Sequence, residues 1–192
     1  MMISDTDRIR AFLAIHLPKD VRAQVAAICR RLGAVLPGVR FVPESQVHVT
    51  LHFFAAISPD ERALVEEAAA LGASQVRPYK MGLSGVGVFP DARRARVVWL
   101  GIAQGAEETA RLAALVAKGL LARGLPVEER EFRPHVTLAR LRERHHGVPE
   151  ALSIGRAMEV PAFDVDRLVL FQSRLLPTGP VHTEIASFPL GA

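Results

Sequence analysis

Apolar and polar residues alternate between two periods along the chain, and the period changes mark out its elements. The run RAFLAIHL (10–17) is apolar and rich in strand formers, so it predicts a first strand. From Pro18 the spacing lengthens: Val21, Val25, Ile28, Cys29, Leu32 and Leu36 recur at helical intervals, with Pro18 suited to a first turn. QVHVTLHFF (46–54) is strand-like again. It is followed by a complete helix start, with Ser58 as N-cap, Pro59 at the first helical position and Glu61 closing a capping box. YKMGLSGVGVF and ARVVWLGI predict two strands joined by a turn around Pro90-Asp91. EETARLAALVAKGLLAR predicts a helix that buries Leu112, Leu115, Val116 and Leu120 and stops near Gly124 and Pro126. FRPHVTLARL is a further strand. The end reads as three more, AMEVPAFDV, RLVLFQSRL and VHTEIASFPL, the last two joined by a turn at 177–180.

One tetrapeptide occurs in two of these strands. HVTL begins at His48 and again at His135, in opposite halves of the chain, and an F-x-P sequence precedes each copy (Phe41 to Pro43, Phe132 to Pro134). The chain has seven His and six Thr in 192 residues, so chance placement yields about 0.2 copies of H-x-T. Residues i and i+2 of a strand share a face. Each copy therefore offers an imidazole and a hydroxyl on one side, while Val49, Leu51, Val136 and Leu138 anchor the other side to a core. Two such strands across a cleft supply an imidazole to take a proton, another to give one, and hydroxyls to stabilise charge on non-bridging oxygens. Those are the parts for displacement at phosphorus, and no metal is among them. The pattern predicts one α+β domain over 1–192, bilobal, with an approximate internal twofold.

Composition narrows the setting. Hydrophobic residues make up 49% of the chain, which excludes a disordered protein. No apolar run is long enough for a membrane helix, the opening MMISDTDRIR lacks the pattern of a secretory signal, and a single cysteine, Cys29, excludes an internal disulfide. A cytoplasmic setting without membrane association is expected. The net charge is +4, carried by 21 Arg and three Lys. Coding bias accounts for most of the arginines, but not for the cluster of Arg133, Arg140, Arg142 and Arg144 around the second motif, where the even-numbered ones are expected along one side of a strand. His52 is expected on the face of Thr50, which offers His48 and His52 as two ligands for a metal, but two ligands do not make a site and no third is placed by sequence. His145 and His146 fall in a polar loop. Trp99 and Phe171, in apolar strands, are expected in the core.

Taken together, these residues resemble the two-histidine phosphoesterases, and within them the bacterial and archaeal RNA 2′,3′-cyclic phosphodiesterases, formerly described as 2′-5′ RNA ligases. The resemblance rests on RAFLAIHLP, the paired H-x-T-L motifs, VFP at 88–90 with ARVVWLGI, FRPHVTLAR and the closing LVLFQSRLLPTGPVHTEIASFPL. It implies helices packed outside two antiparallel-sheet lobes, with the active-site cleft between the sheets. It implies His48 and His135 as catalytic residues, Thr50, Thr137 and Arg140 as phosphate ligands, and Phe53 stacking on a nucleobase. The implied substrate is an RNA or nucleotide ending in a 2′,3′-cyclic phosphate, opened to the 2′-phosphomonoester without a cofactor by a monomer, with 2′-5′ ligation as the reverse reaction. One departure is His182, where an aromatic, often Tyr, is usual. Competing readings are a related phosphodiesterase acting on ADP-ribose cyclic phosphate or 2′-5′ oligoadenylate, and a non-catalytic module that binds RNA ends.

Overall fold

The computed structural model describes residues 8–177 and 179–191; residues 1–7, Thr178 in the turn at 177–180, and Ala192 lie outside it. Strands β1 (Ile9–His16), β2 (His48–Ile57), β7 (Arg167–Leu176) and β8 (Gly179–Pro189) form one antiparallel sheet in the order β2-β1-β7-β8. Strands β3 (Tyr79–Phe89), β4 (Val97–Gln104), β5 (His135–Arg140) and β6 (Glu159–Val165) form the other, in the order β5-β4-β3-β6. Each sheet thus carries its H-x-T strand at one edge, and those two edge strands, β2 and β5, lie against each other. The lobes are not the two halves of the chain, as the position of the motifs suggests. The first sheet is closed by the C-terminal strands, so the first and last strands, β1 and β8, lie in one lobe.

Among the described residues, four α-helices cover the outside. Helix α2 (Pro59–Ala73) packs on β2, β7 and β8, and α3 (Ala106–Leu121) packs beside it and on β2. Helix α1 (Lys19–Gly33) reaches β6, and α4 (Val148–Gly155) lies on β3. The helix that follows β1 therefore serves the second sheet, and the helix that follows β4 serves the first. The two lobes have exchanged a helix. One apolar cluster consequently runs through both lobes, from Leu13 and Val49 to Leu100 and Val136.

Local chemistry explains the elements. Ser58 accepts from the Glu61 backbone N–H (3.1 Å) while the Glu61 carboxylate accepts from Ser58 N–H (2.7 Å), the predicted capping box at the start of α2. Helices α2 and α3 pack closely because Gly72 and Gly119 face each other's helices. A Cβ on Gly72 would lie 2.7 Å from Val116. Pro161 is tolerated in β6 because that strand is a sheet edge. Helix α4 carries no clear signal in the sequence: it has only eight residues, and its apolar spacing is too brief to separate from loop. Among the described residues no helix is long and apolar enough to cross a membrane.

Candidate active site

The motif strands are built as the alternation predicts, up to the fourth residue. Val49, Leu51, Val136 and Leu138 are buried in the main core, while Thr50 is exposed and Thr137 half-buried on the opposite face. After that each strand carries the same irregularity. On β2 the pairing steps from Thr50↔Ala14 to His52↔Leu13, leaving Leu51 over; on β5 it steps from Thr137↔Trp99 to Ala139↔Val98, leaving Leu138 over. A bulge inserts one extra residue and reverses the phase of the residues after it. Residues 53 and 140, which strict alternation would send to the core side, are returned to the face of the histidines. Phe53 then stands opposite Phe12, and Arg140 opposite Val97.

The same bulge corrects the reading of His52. It does not share the face of Thr50; it turns to the helix side, where its Nε2–H donates to the Ala113 carbonyl of α3 (2.9 Å). His48 and His52 point away from each other and form no ligand pair. Arg142 and Arg144 are corrected too. Strand β5 ends at Arg140, so they lie in the following turn rather than along the cleft, and the Arg142 carbonyl accepts from Arg96. Arg133 pairs with Glu131 at 3.0 Å in the approach to β5. His145 holds its loop to the segment that follows α1 by donating to the Pro37 carbonyl (3.1 Å).

His48 and His135 are set identically. His48 Nδ1 is 2.7 Å from the Gln46 carbonyl, and His135 Nδ1 is 2.6 Å from the Arg133 carbonyl, in each case two residues back. A carbonyl only accepts, so both rings carry their proton on Nδ1 and leave Nε2 as the unprotonated nitrogen. Their surroundings differ. His48 stacks on Phe12 (centroids 4.6 Å, 24° between planes) and meets the edge of His182 (5.6 Å). Phe12 in turn stacks on Phe171 (5.2 Å). A small cavity of about 80 Å³ borders these rings, walled also by His16, Ser45 and Gln46. His135 lies against the edge of Phe89 (5.1 Å), with Trp99 at 6.4 Å.

Trp99 is therefore not a core residue but a wall on the face of His135, lying over Gly87, where a Cβ would run into its ring. Phe171 is buried, yet in a separate cluster with Phe12, Ala14 and Val169 on the His48 face.

His16, opposite His48 in register, accepts at Nε2 from Arg22 (2.6 Å). His16, Arg10 and Phe12 escaped the sequence reading because β1 is apolar on both faces and gives no phase. The only signal is that its polar residues, Arg10 and His16, are an even number apart.

Burial controls the ionisation here. It pushes His48 from 6.5 down to about 4, the Gln46 carbonyl opposing and the charges of His182 and His16 adding to the fall. His135 is lowered by burial, against its bond to the Arg133 carbonyl and with help from Arg140. His16, His52 and His182 shift downward for the same leading reason. The unfolded chain therefore takes up protons between about pH 6.5 and 4 that the folded chain refuses. Stability is full above pH 6.5 and falls as the pH drops through that window. The urea midpoint should decline between pH 7 and 5, and less steeply in His48→Gln. Equal slopes would show that His48 is not the group responsible.

The chain matches the family model described as the 2′-5′ RNA ligase superfamily over residues 17–175. A Thermus thermophilus protein named RNA 2′,3′-cyclic phosphodiesterase is 34% identical over 95% of this chain and 90% of its own length. An Archaeoglobus fulgidus protein of the same name is 31% identical over 94% and 99%. Among solved structures, TT0787 of Thermus thermophilus superposes with a TM-score of 0.78 at 28% identity, covering 95% of this chain and 98% of that one. Escherichia coli LigT complexed with 3′-AMP superposes with 0.72 at 22% identity, over 96% and 99%, a likeness of fold.

Proposed function

Since the chain belongs to the 2′-5′ RNA ligase superfamily, we propose that it hydrolyses RNA 2′,3′-cyclic phosphate ends to 2′-phosphomonoesters, using His48 and His135 as its acid–base pair. The observation that carries this reading is the matched setting of the two rings. Each holds Nδ1–H on a carbonyl two residues back and keeps Nε2 available, on edge strands that lie together. One imidazole takes a proton from water as its oxygen attacks phosphorus. The other, entering protonated, gives its proton to the departing 3′-oxygen as that P–O bond breaks, and the pair exchanges roles in the reverse direction. The anionic substrate favours the charged form of a nearby imidazole, which offsets the burial that lowers both rings.

Thr50, Thr137 and Arg140 hold the non-bridging oxygens, where charge accumulates. The two bulges support the assignment of Arg140 and Phe53, because they return both to the histidine face. Phe53 is 38% exposed, and the part of its ring left open beside Arg10 is where a nucleobase would stack. The names carried by the relatives support the substrate class, and ligation of 2′-5′ ends is the same chemistry run backwards. No step calls for a metal or cofactor.

The test is hydrolysis of a nucleoside 2′,3′-cyclic phosphate with and without EDTA. EDTA-resistant formation of the 2′-phosphate is expected; loss of turnover in EDTA, restored by a divalent cation, would sink the metal-independent mechanism. Thr50→Ala and Thr137→Ala should each lose less activity than His48→Ala, because one missing donor leaves the others in place. Equal losses in kcat would reverse that ranking.

A further inference from the structure

The face of β1 that carries Phe12 and His16 begins with Arg10, which the proposed reaction does not use. Its guanidinium lies over one face of the Phe53 ring, 4.5 Å from the centroid, beside the surface assigned above to a terminal nucleobase. Its charge also reaches His182, the imidazole whose edge abuts His48. Arg10 is exposed, and among the described residues it makes no ion pair with a carboxylate. Arg8, by contrast, is tied to Glu61 at 2.8 Å.

The internal twofold shows that the fold does not require this cation. Phe12 pairs with Phe53 in one lobe as Val97 pairs with Arg140 in the other. Two residues before Phe12 stands Arg10; two residues before Val97 stands Ala95, buried and apolar. Arg10 thus breaks the symmetry of the site on the side of the nucleobase ledge.

We infer that Arg10 is a specificity-determining residue that binds the phosphodiester on the 5′ side of the terminal nucleoside, so that the site favours a polynucleotide end over a mononucleotide. The inference rests on the phosphodiesterase reading above. The cyclic phosphate already has Thr50, Thr137 and Arg140, so Arg10 provides a second anion contact, displaced toward the base. A guanidinium suits this place: its flat face stacks on an aromatic ring while its N–H fork grips two phosphate oxygens.

The experiment compares kcat/KM for a nucleoside 2′,3′-cyclic phosphate and for a dinucleoside monophosphate ending in the same cyclic phosphate, using wild type, Arg10→Gln and Arg10→Lys. Arg10→Gln should lose about ten-fold or more on the dinucleotide, the usual worth of a hydrogen bond to a charged group. On the mononucleotide it should lose no more than about two-fold, as surface substitutions do. Arg10→Lys should keep part of the dinucleotide preference through its charge. Equal losses on both substrates would overturn the inference and leave Arg10 as a support for the Phe53 ring, and no loss on either would overturn it as well. Failure of the wild type to turn over either compound would instead remove the phosphodiesterase reading, and the inference with it.

Discussion

His135→Ala should lower kcat for cyclic phosphate hydrolysis by about 10²- to 10⁴-fold or more while leaving the fold intact. The size follows from what is removed. The ring's Nε2 is held for proton exchange by the Nδ1–H bond to the Arg133 carbonyl, and the rings packed against it are Phe89 and Trp99, neither of which titrates in its place. The ring is half-buried rather than deep in the core, so the thermal midpoint should move little, and activity and stability separate cleanly. His48→Ala should cost as much activity but also stability, because it leaves Phe12 and His182 without the ring between them. If either group acts in the proton transfers, the pH profile of kcat loses one limb in the corresponding variant. A His135→Ala enzyme that retains a tenth or more of wild-type kcat, measured under saturating substrate, would show that the second motif is not part of the proton path.

Phe12→Ala should have the largest effect on stability, about 3–5 kcal/mol by the usual cost of deleting a buried phenyl ring. Phe12 is 4% exposed and touches His48, Phe171 and His182 with centroids at 4.6, 5.2 and 4.9 Å. That cost is a large part of the whole stability of an ordinary domain, so the variant should melt well below wild type. There is a second consequence. Phe12 is part of the burial that holds His48 near 4, and water entering the vacated space should let that pKa climb back toward 6.5. The signature is a C2–H proton resonance of His48 titrating at higher pH in Phe12→Ala than in wild type. Phe12→Leu should recover most of the stability but only part of the pKa, since it restores volume without the stacked ring. An unchanged His48 titration in Phe12→Ala would show that burial by this ring is not the cause of the shift.

The motif strands, α1, α2 and α3 were legible in the sequence because each carries its own local code. The H-x-T pairs alternate with Val and Leu, Ser58 and Glu61 cap α2, and α1 keeps helical spacing over fifteen residues. What escaped depends on partners far along the chain. A bulge is a relation between two strands, so nothing in HVTLHFF alone tells that Leu51 is the odd residue, that His52 turns to α3, or that Phe53 comes back to the histidine face. The family pattern supplied Phe53 and Arg140 as residues five places beyond each His; the bulges supply the reason for five rather than four. Trp99 was misplaced for a similar cause. In a strand apolar on both sides, only the sheet partner shows which side meets the motif, and here that partner is Thr137. His182 reaches His48 only because β8 returns to the first sheet at the end of the chain.

The exchange of helices between the lobes has a consequence for how the enzyme can move. A cleft between two independent bodies opens on a hinge, and its two walls find their working distance anew in every cycle. Here α1 leaves the first sheet to reach β6, and α3 leaves the second to lie on β2, so separating the walls would tear apolar surface from a shared interior. The spacing between the two half-sites is set when the chain folds. The site is preorganised by its connectivity, and neither lobe, expressed alone, should keep its shape.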